Sequence, residues 1–159
     1  MAPGNQSERA REEFLAEAQE LIETLSRDLL MLDEGLRHGQ RNPETLNDLF
    51  RGVHTLKGLS GMFGFDRLGR LAHVLEDTLE ELRMGRIEQS QAVLDVLFEG
   101  TESFQRLLVE AKDPGSALTV DLDAIGAKVK HLTRAKATTH DVLEDYEFER
   151  GVLGVLTEY

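Results

Sequence analysis

The chain has 159 residues, a length that suits one domain with a tail. Its 30 acidic and 18 basic residues give a formal charge of −12, which argues against a nucleic-acid surface and against binding to acidic membranes. Cysteine is absent, so disulfides and thiol chemistry are excluded. Neither an apolar leader nor a stretch of about 20 apolar residues is present. We therefore expect a cytoplasmic protein without membrane insertion.

Composition and periodicity predict an all-α protein, because leucine dominates the apolar residues while aromatic and β-branched residues are scarce. Residues 1–6 are expected to form a flexible lead, and Ser7 is placed to cap the first helix. The inward stripe of that helix has the spacing of an amphipathic helix. Its members are Phe14, Ala18, Leu21, Leu25, Leu29, Leu32 and Leu36.

Asn42 and Pro43 predict the start of the second helix, as N-cap and first helical residue. It should end near Gly64, with Asp66 as the cap of the third helix and Gly85 closing that helix. The inward residues of the second helix are Leu46, Leu49, Val53, Leu56, Ser60 and Phe63. Those of the third are Leu68, Leu71, Leu75, Leu79 and Leu82.

A fourth helix is predicted from about Gln89 to Lys112, with Asp113, Pro114 and Gly115 breaking it. Four helices of this length with short connections predict an antiparallel up-down four-helix bundle. A fifth, C-terminal helix should pack on it through Leu122, Ile125, Val129 and Leu132. The expected bundle covers 7–135. Residues 136–159 are expected to form a linker and the start of the following region of a longer protein.

One run of thirteen residues, from His54 to Asp66, carries the chemistry of the sequence. Lys57 follows His54 by three residues, and glycines follow it by four and seven residues. On a helical wheel, His54 lies about 130° from the centre of the buried face. The imidazole therefore borders the core while staying exposed, which suits a histidine that another protein's active site must reach. We interpret His54 as a phosphoryl-accepting nucleophile.

Gly58 and Gly61 need a reason, because a glycine inside a helix costs up to about 1 kcal/mol relative to alanine. One reason is clearance, in which case the two glycines form a partner-access face beside His54. The other reason is close packing against a neighbouring helix, or simple tolerance of a glycine at these positions. The sequence leaves both reasons open.

The third predicted helix offers His73 and Glu76, one turn apart. In an antiparallel hairpin, the edge that carries Glu76 can face the edge that carries His54. A carboxylate that accepts a hydrogen bond from Nδ1–H would fix the tautomer of His54 and leave the Nε2 lone pair free to attack phosphorus. Lys57 would supply positive charge near the incoming phosphoryl group. The candidate catalytic residues on these grounds are His54, Lys57 and Glu76, whereas His73 could be a solvated helix residue.

Two other functions are compatible with these residues. A metal-binding bundle would use His54, His73 and Glu76, although bundle metal sites usually draw on repeated Glu-x-x-His motifs and the order His-x-x-Glu occurs once here. In a non-catalytic helical interaction module, these residues would take part in no reaction. The remaining histidines lack comparable neighbours and are interpreted as surface residues: His38, His131 and His140.

The segments 50–58 and 61–65 resemble the histidine-containing phosphotransfer (Hpt) domain, most closely the N-terminal domain of CheA-type chemotaxis histidine kinases. The resemblance continues through 71–77 and 83–85 and spans roughly residues 8–112, with a looser match over the fifth helix. A short stretch at 154–159 resembles the start of the region that follows this domain in some of these kinases.

This resemblance implies that His54 is phosphorylated, that Glu76 hydrogen-bonds its ring, and that Lys57 and His73 complete the network. It implies a phosphocarrier that belongs to a histidine kinase but has no ATP site of its own, so that ATP and Mg²⁺ would be held by partner domains. The phosphoryl group would come from the ATP-binding domain of the kinase. It would leave to an aspartate of a response-regulator receiver domain.

Overall fold

A computed structural model describes residues 3–115 and 119–133, and these residues form five helices and no strand. The helices are α1 (Pro3–Arg37), α2 (Pro43–Met62), α3 (Asp66–Arg83), α4 (Gln91–Lys112) and α5 (122–133). The predicted all-α class is thus confirmed. The predictions for residues 134–159, including the linker, the start of a following region and the surface position of His140, lie outside the described residues.

The first four helices form an up-down bundle, in which α1 and α3 each pack against both α2 and α4. Near the start of α1, the Phe14 ring stacks on Phe63, just after the end of α2, with centroids 5.1 Å apart. Arg11 donates a hydrogen bond of 2.6 Å to the carbonyl of Ala111, near the end of α4. The start of α1 therefore meets the ends of α2 and α4, as the predicted antiparallel bundle requires.

Leucine side chains fill the core, as the sequence pattern predicts. All five predicted inward leucines of α3 are buried. On α1, Leu15 and Ile22 also belong to the core, because the buried face of the helix is wider than one residue per turn. Leu21, which was expected to face inward, is only partly buried. Phe63 was expected to face inward, but it is 40% exposed, since α2 ends at Met62 and the ring lies over Phe14 instead.

Several predicted helix ends shift by a few residues. The helix α1 begins at Pro3, so residues 3–6 are helical rather than a lead, and Ser7 is not its cap. Pro3 suits the first helical position because its missing N–H needs no partner there. Asp66 is the first residue of α3 and Phe65 occupies the cap position. Helix α4 begins at Gln91, where the Ser90 side chain accepts a hydrogen bond from the Val93 N–H.

Two of the predicted boundaries are confirmed in detail. Asn42 occupies the N-cap position of α2 with Pro43 following it, although the Asn42 side chain makes no capping hydrogen bond. Gly85 has φ +74°, and the N–H groups of Gly85 and Arg86 bond to the carbonyls of Leu82 and Glu81. This pairing closes α3 with a left-handed glycine, as expected.

The fifth helix packs on the bundle, with Ile125 buried in the common core. Arg67 of α3 binds both carboxylate oxygens of Glu110 on α4 and donates to the carbonyl of Val120, just before α5. Lys128 of α5 pairs with Glu99 of α4 at 2.8 Å. In the described part of the chain, no helix combines the length and apolar character that crossing a membrane requires.

Candidate functional site

Small residues bring α2 and α3 close together beside the predicted site. Ser60 on α2 and Ala72 on α3 are fully buried. A Cβ placed on Gly69 of α3 would lie 3.7 Å from the Cβ of Ser60, an ordinary van der Waals contact. Because the two helices are antiparallel, the same register that pairs 60 with 69 brings position 54 opposite position 76.

His54 and Glu76 meet across these two helices. Nδ1 of His54 lies 2.7 Å from Oε2 of Glu76, while the histidine side chain is 63% exposed. In the tautomer that carries its hydrogen on Nδ1, the ring donates to Glu76 and leaves Nε2 with a free lone pair. The geometry therefore brings together the acceptor histidine and the orienting carboxylate that the sequence predicts.

Lys57 occupies the second oxygen of the same carboxylate. Its Nζ donates to Oε1 of Glu76 at 2.8 Å, and the Glu76 side chain is only 14% exposed. Burial raises the pKa of Glu76, but the hydrogen bonds and positive charge that Lys57 and then His54 bring outweigh burial, so the net pKa lies below the ordinary carboxyl value. Glu76 is therefore ionised at neutral pH and accepts from both α2 residues.

His73 is not joined to this group by a hydrogen bond or ion pair within the described residues. Its Nε2 lies 3.6 Å from Oδ2 of Asp77, one turn along the same helix, and both side chains are largely exposed. The antiparallel register puts position 73 at the level of Lys57, beside the site. A role for His73 in the network stays a prediction.

The two glycines beside His54 have open space around them. A Cβ built on Gly58 or Gly61 would meet no side chain within 4 Å, nor any backbone outside its own stretch of helix. Gly52 and Gly100 behave differently, because a Cβ there would come within 3.0 Å of core leucines. Close packing therefore explains Gly52 and Gly100 but not Gly58 or Gly61, which leaves clearance or simple tolerance for the pair beside the histidine.

The sequence analysis assigned no role to two residues at the site, namely Phe50 and Arg83. The Phe50 ring is stacked with His54, with centroids 6.1 Å apart and planes at 10°. The Arg83 guanidinium lies 4.2 Å from the centroid of the same phenyl ring. The i, i+4 spacing of Phe50 and His54 was a visible signal for their contact, whereas the position of Arg83 depends on how α2 and α3 pack.

The metal-binding alternative finds no ligand set in the described part of the chain, where no three His, Asp or Glu side chains are grouped to hold an ion. Both oxygens of Glu76 already accept hydrogen bonds, one of them from the positively charged Lys57. A cation would have to displace Lys57 and compete with its charge.

Fold and site together define a class of protein. Residues 9–128 match the Hpt domain family, which is three quarters of the chain, so the chain belongs to that family. The resemblance drawn from the motif around His54 is thereby confirmed.

The relatives are more specific than the class. The chain is 40% identical over 105 residues to chemotaxis protein CheA of Rhizobium meliloti strain 1021, covering 66% of this chain and 13% of that protein. It is 32% identical over 138 residues to CheA of Cereibacter sphaeroides, covering 87% of this chain and 20% of that protein. The chain thus spans a fifth or less of the length of these two relatives.

Solved structures show the same helical fold. The solution structure of the histidine phosphotransfer domain of CheA is 29% identical, with a TM-score of 0.68 over 77% of this chain and 90% of that chain. The CheA phosphotransferase domain from Thermotoga maritima is 30% identical, with a TM-score of 0.60 over 67% of this chain and 97% of that one.

Proposed function

We propose that this chain is the phosphocarrier domain of a CheA-like two-component histidine kinase, with His54 as the residue that carries the phosphoryl group. The observation that supports this most is the contact of 2.7 Å between Nδ1 of His54 and the Glu76 carboxylate, which directs Nε2 outward on an exposed ring. Membership of the Hpt family and the similarity to CheA proteins agree with it.

In the proposed first step, Nε2 of His54 attacks the terminal phosphorus of ATP held by a kinase domain. The N–P bond forms while the bond from phosphorus to the ADP oxygen breaks, and ADP leaves. Positive charge that develops on the ring is stabilised by Glu76, and negative charge on the phosphoryl oxygens by Lys57. Mg²⁺ would be held by the partner domain and would screen the phosphate charges.

In the proposed second step, an aspartate carboxylate of a response-regulator receiver domain attacks the same phosphorus. The N–P bond breaks, the acyl phosphate forms on the receiver, and His54 returns to its starting state. A neighbour of the same fold, 18% identical with a TM-score of 0.66, is the phosphorylated P1 domain of CheA3 in complex with CheY6 from R. sphaeroides. We propose a comparable partner here and, because ATP supplies the phosphoryl group, a cytoplasmic location.

The test is phosphorylation of the chain by a CheA-type kinase domain with labelled ATP. The wild-type chain should take up label that is labile in acid and stable in base, as expected for phosphohistidine, and should pass it to a receiver domain. His54→Gln should take up none. The matched control is His131→Gln, which replaces another exposed histidine and should be labelled like the wild type. Label that persists in His54→Gln would contradict the proposal.

A further inference from the structure

We propose that Phe50 is a positioning residue for His54 and that Arg83 holds Phe50 in place. The proposal rests on the proposed function, in which His54 accepts the phosphoryl group. Phe50 precedes His54 by one helical turn, and the distance of 6.1 Å between the ring centroids is in the range of offset-stacked aromatic pairs. Phe50 and Arg83 make no hydrogen bond to Glu76 and lie outside the network of His54, Lys57 and Glu76.

The hydrogen bond to Glu76 leaves one motion of the imidazole unrestrained. It fixes the direction of Nδ1, but a ring that is 63% exposed can still turn about the axis of that bond. A flat neighbour whose plane lies within 10° of the imidazole plane opposes this rotation. Glu76 and Phe50 together therefore hold Nε2 in a single direction, which is what in-line attack on phosphorus requires.

Arg83 supports Phe50 from the neighbouring helix. Its guanidinium lies 4.2 Å from the phenyl centroid, a cation–π contact, and a hydrogen bond of 2.9 Å to Glu80 restrains the arginine. Two α3 residues, two turns apart, thus restrain two α2 residues that are one turn apart. Glu76 restrains His54, and Arg83 restrains Phe50.

The stack also determines the side from which His54 is reached. Side chains on a helix lean toward its N-terminus, so the imidazole leans over the turn that carries Phe50. A side chain at position 58 would lean toward His54 in the same way, but Gly58 leaves that space empty. The imidazole therefore has a wall on the Phe50 side and an opening on the Gly58 side.

Chemical phosphorylation separates positioning from partner docking. With phosphoramidate as the donor, Nε2 of His54 attacks phosphorus, the donor's P–N bond breaks and ammonia leaves, so no protein partner is involved. Phe50→Leu should lower the rate of this reaction about three- to tenfold, the range that corresponds to loss of one aromatic contact. Phe50→Tyr keeps the flat ring and should restore the rate.

The matched control is Phe98→Leu, which makes the same change at another partly buried position, on α4. It should leave the rate unchanged. With a kinase domain and ATP, Phe50→Leu should lower kcat by a similar factor and leave KM unchanged. An unchanged phosphoramidate rate in Phe50→Leu, or a Tyr variant no faster than the Leu variant, would overturn the proposal.

Nuclear magnetic resonance gives a readout that a merely structural role would not change. Three-bond couplings between the β-protons and the ring carbon Cδ2 of His54, which report χ2, should indicate one ring orientation in the wild type and averaging in Phe50→Leu, while Phe98→Leu keeps one orientation. Arg83→Gln, a surface change on α3, should shift the couplings in the same direction and serves if Phe50→Leu fails to fold. A single His54 ring orientation in both Phe50→Leu and Arg83→Gln would refute positioning, whereas label on His54→Gln would refute the proposed function itself.

Discussion

Glu76 connects the candidate site, because each of its carboxylate oxygens accepts a hydrogen bond from a different side chain of α2. The carboxyl pKa is lower in the folded chain than its ordinary value, since the contacts with Lys57 and His54 outweigh burial. A depressed folded pKa means that the unfolded chain binds a proton more readily. The ionised carboxylate therefore contributes stability above the unfolded pKa, and that contribution is lost as the pH falls through the folded pKa.

We predict that ionisation of Glu76 makes the free energy of unfolding depend on pH in the acid range. The free energy of unfolding of the wild type should exceed that of Glu76→Gln near neutral pH. The difference should shrink as the pH falls below about 4.3, the ordinary value for a glutamate. Urea unfolding of both proteins between about pH 3 and pH 7 measures it. A difference that grows in acid would show that the folded pKa is raised rather than lowered.

If Gly58 serves to clear the space beside His54, it lowers the stability of α2 and gives a partner access to the imidazole. Replacing Gly58 tests both effects. Gly58→Ala should raise the free energy of unfolding by up to about 1 kcal/mol, because alanine favours the helix and its methyl group meets open space. Phosphoryl transfer from the kinase domain and to the receiver should slow about tenfold, because a displacement of about 1 Å at a reacting centre costs up to about a hundredfold.

The control for Gly58→Ala is Gly126→Ala on α5, where a Cβ also meets open space. That variant should gain stability similarly and leave phosphoryl transfer unchanged. Equal transfer rates in the two variants would remove clearance as the reason for Gly58 and leave simple tolerance of a glycine.

Ser60 of α2 is fully buried, and its Cβ faces Gly69 of α3. Its Oγ has no hydrogen-bond partner within the described chain. We predict that Ser60→Ala raises the free energy of unfolding by about 1 kcal/mol, since it removes a buried hydroxyl without a partner and adds a better helix former. Thermal or urea unfolding measures it.

Ser103→Ala is the matched control for this prediction. Ser103 is also buried in a helix, but its hydroxyl donates to the carbonyl of Glu99 at 2.8 Å, so its removal should gain less or cost stability. A loss of stability in Ser60→Ala larger than that in Ser103→Ala would mean that the Ser60 hydroxyl has a partner, such as a buried water.

At the scale of helices, periodicity in the sequence predicted most of the core, because a buried stripe leaves a direct record in the spacing of leucines. Helix ends were less predictable. Ser7 and Asp66 are good capping residue types, yet α1 begins at Pro3 and Phe65 occupies the cap position of α3. The contact of His54 with Glu76 followed from helix faces plus an antiparallel hairpin, and a place for Lys57 in the same network followed from the family resemblance. The contact of Arg83 with Phe50 did not, because it depends on the exact register of two helices.

The described molecule is a four-helix bundle with α5 attached by a few polar contacts and a small apolar patch. Arg67 of α3 links α4 to the start of α5, because it binds both carboxylate oxygens of Glu110 and also donates to the Val120 carbonyl. We predict that Arg67→Ala lowers the free energy of unfolding by up to about 1 kcal/mol, because the ion pair with Glu110 is partly exposed and water can replace the lost partners. Hydrogen exchange of residues 122–133 should become faster, while phosphoramidate labelling of His54 stays unchanged.

Arg70→Ala is the corresponding control. Arg70 pairs with Asp123 at 3.4 Å, and both side chains are exposed, so its loss should change stability by no more than about 0.5 kcal/mol. If Arg70→Ala and Arg67→Ala accelerated exchange in α5 equally, general surface charge rather than the Arg67 contacts would hold that helix.

The wall of Phe50 and the opening at Gly58 have a consequence for the order of events. Under the proposed function, a kinase domain and a receiver domain would both reach His54 through the opening at Gly58, so we expect the kinase domain to leave before the receiver binds. Between the encounter with the kinase domain and the encounter with the receiver domain, the phosphoryl group would be carried by this chain alone. The lifetime of the proposed phosphohistidine would then set how long a signal is stored, and we predict that excess unphosphorylated receiver slows loading of His54 by occupying the same opening.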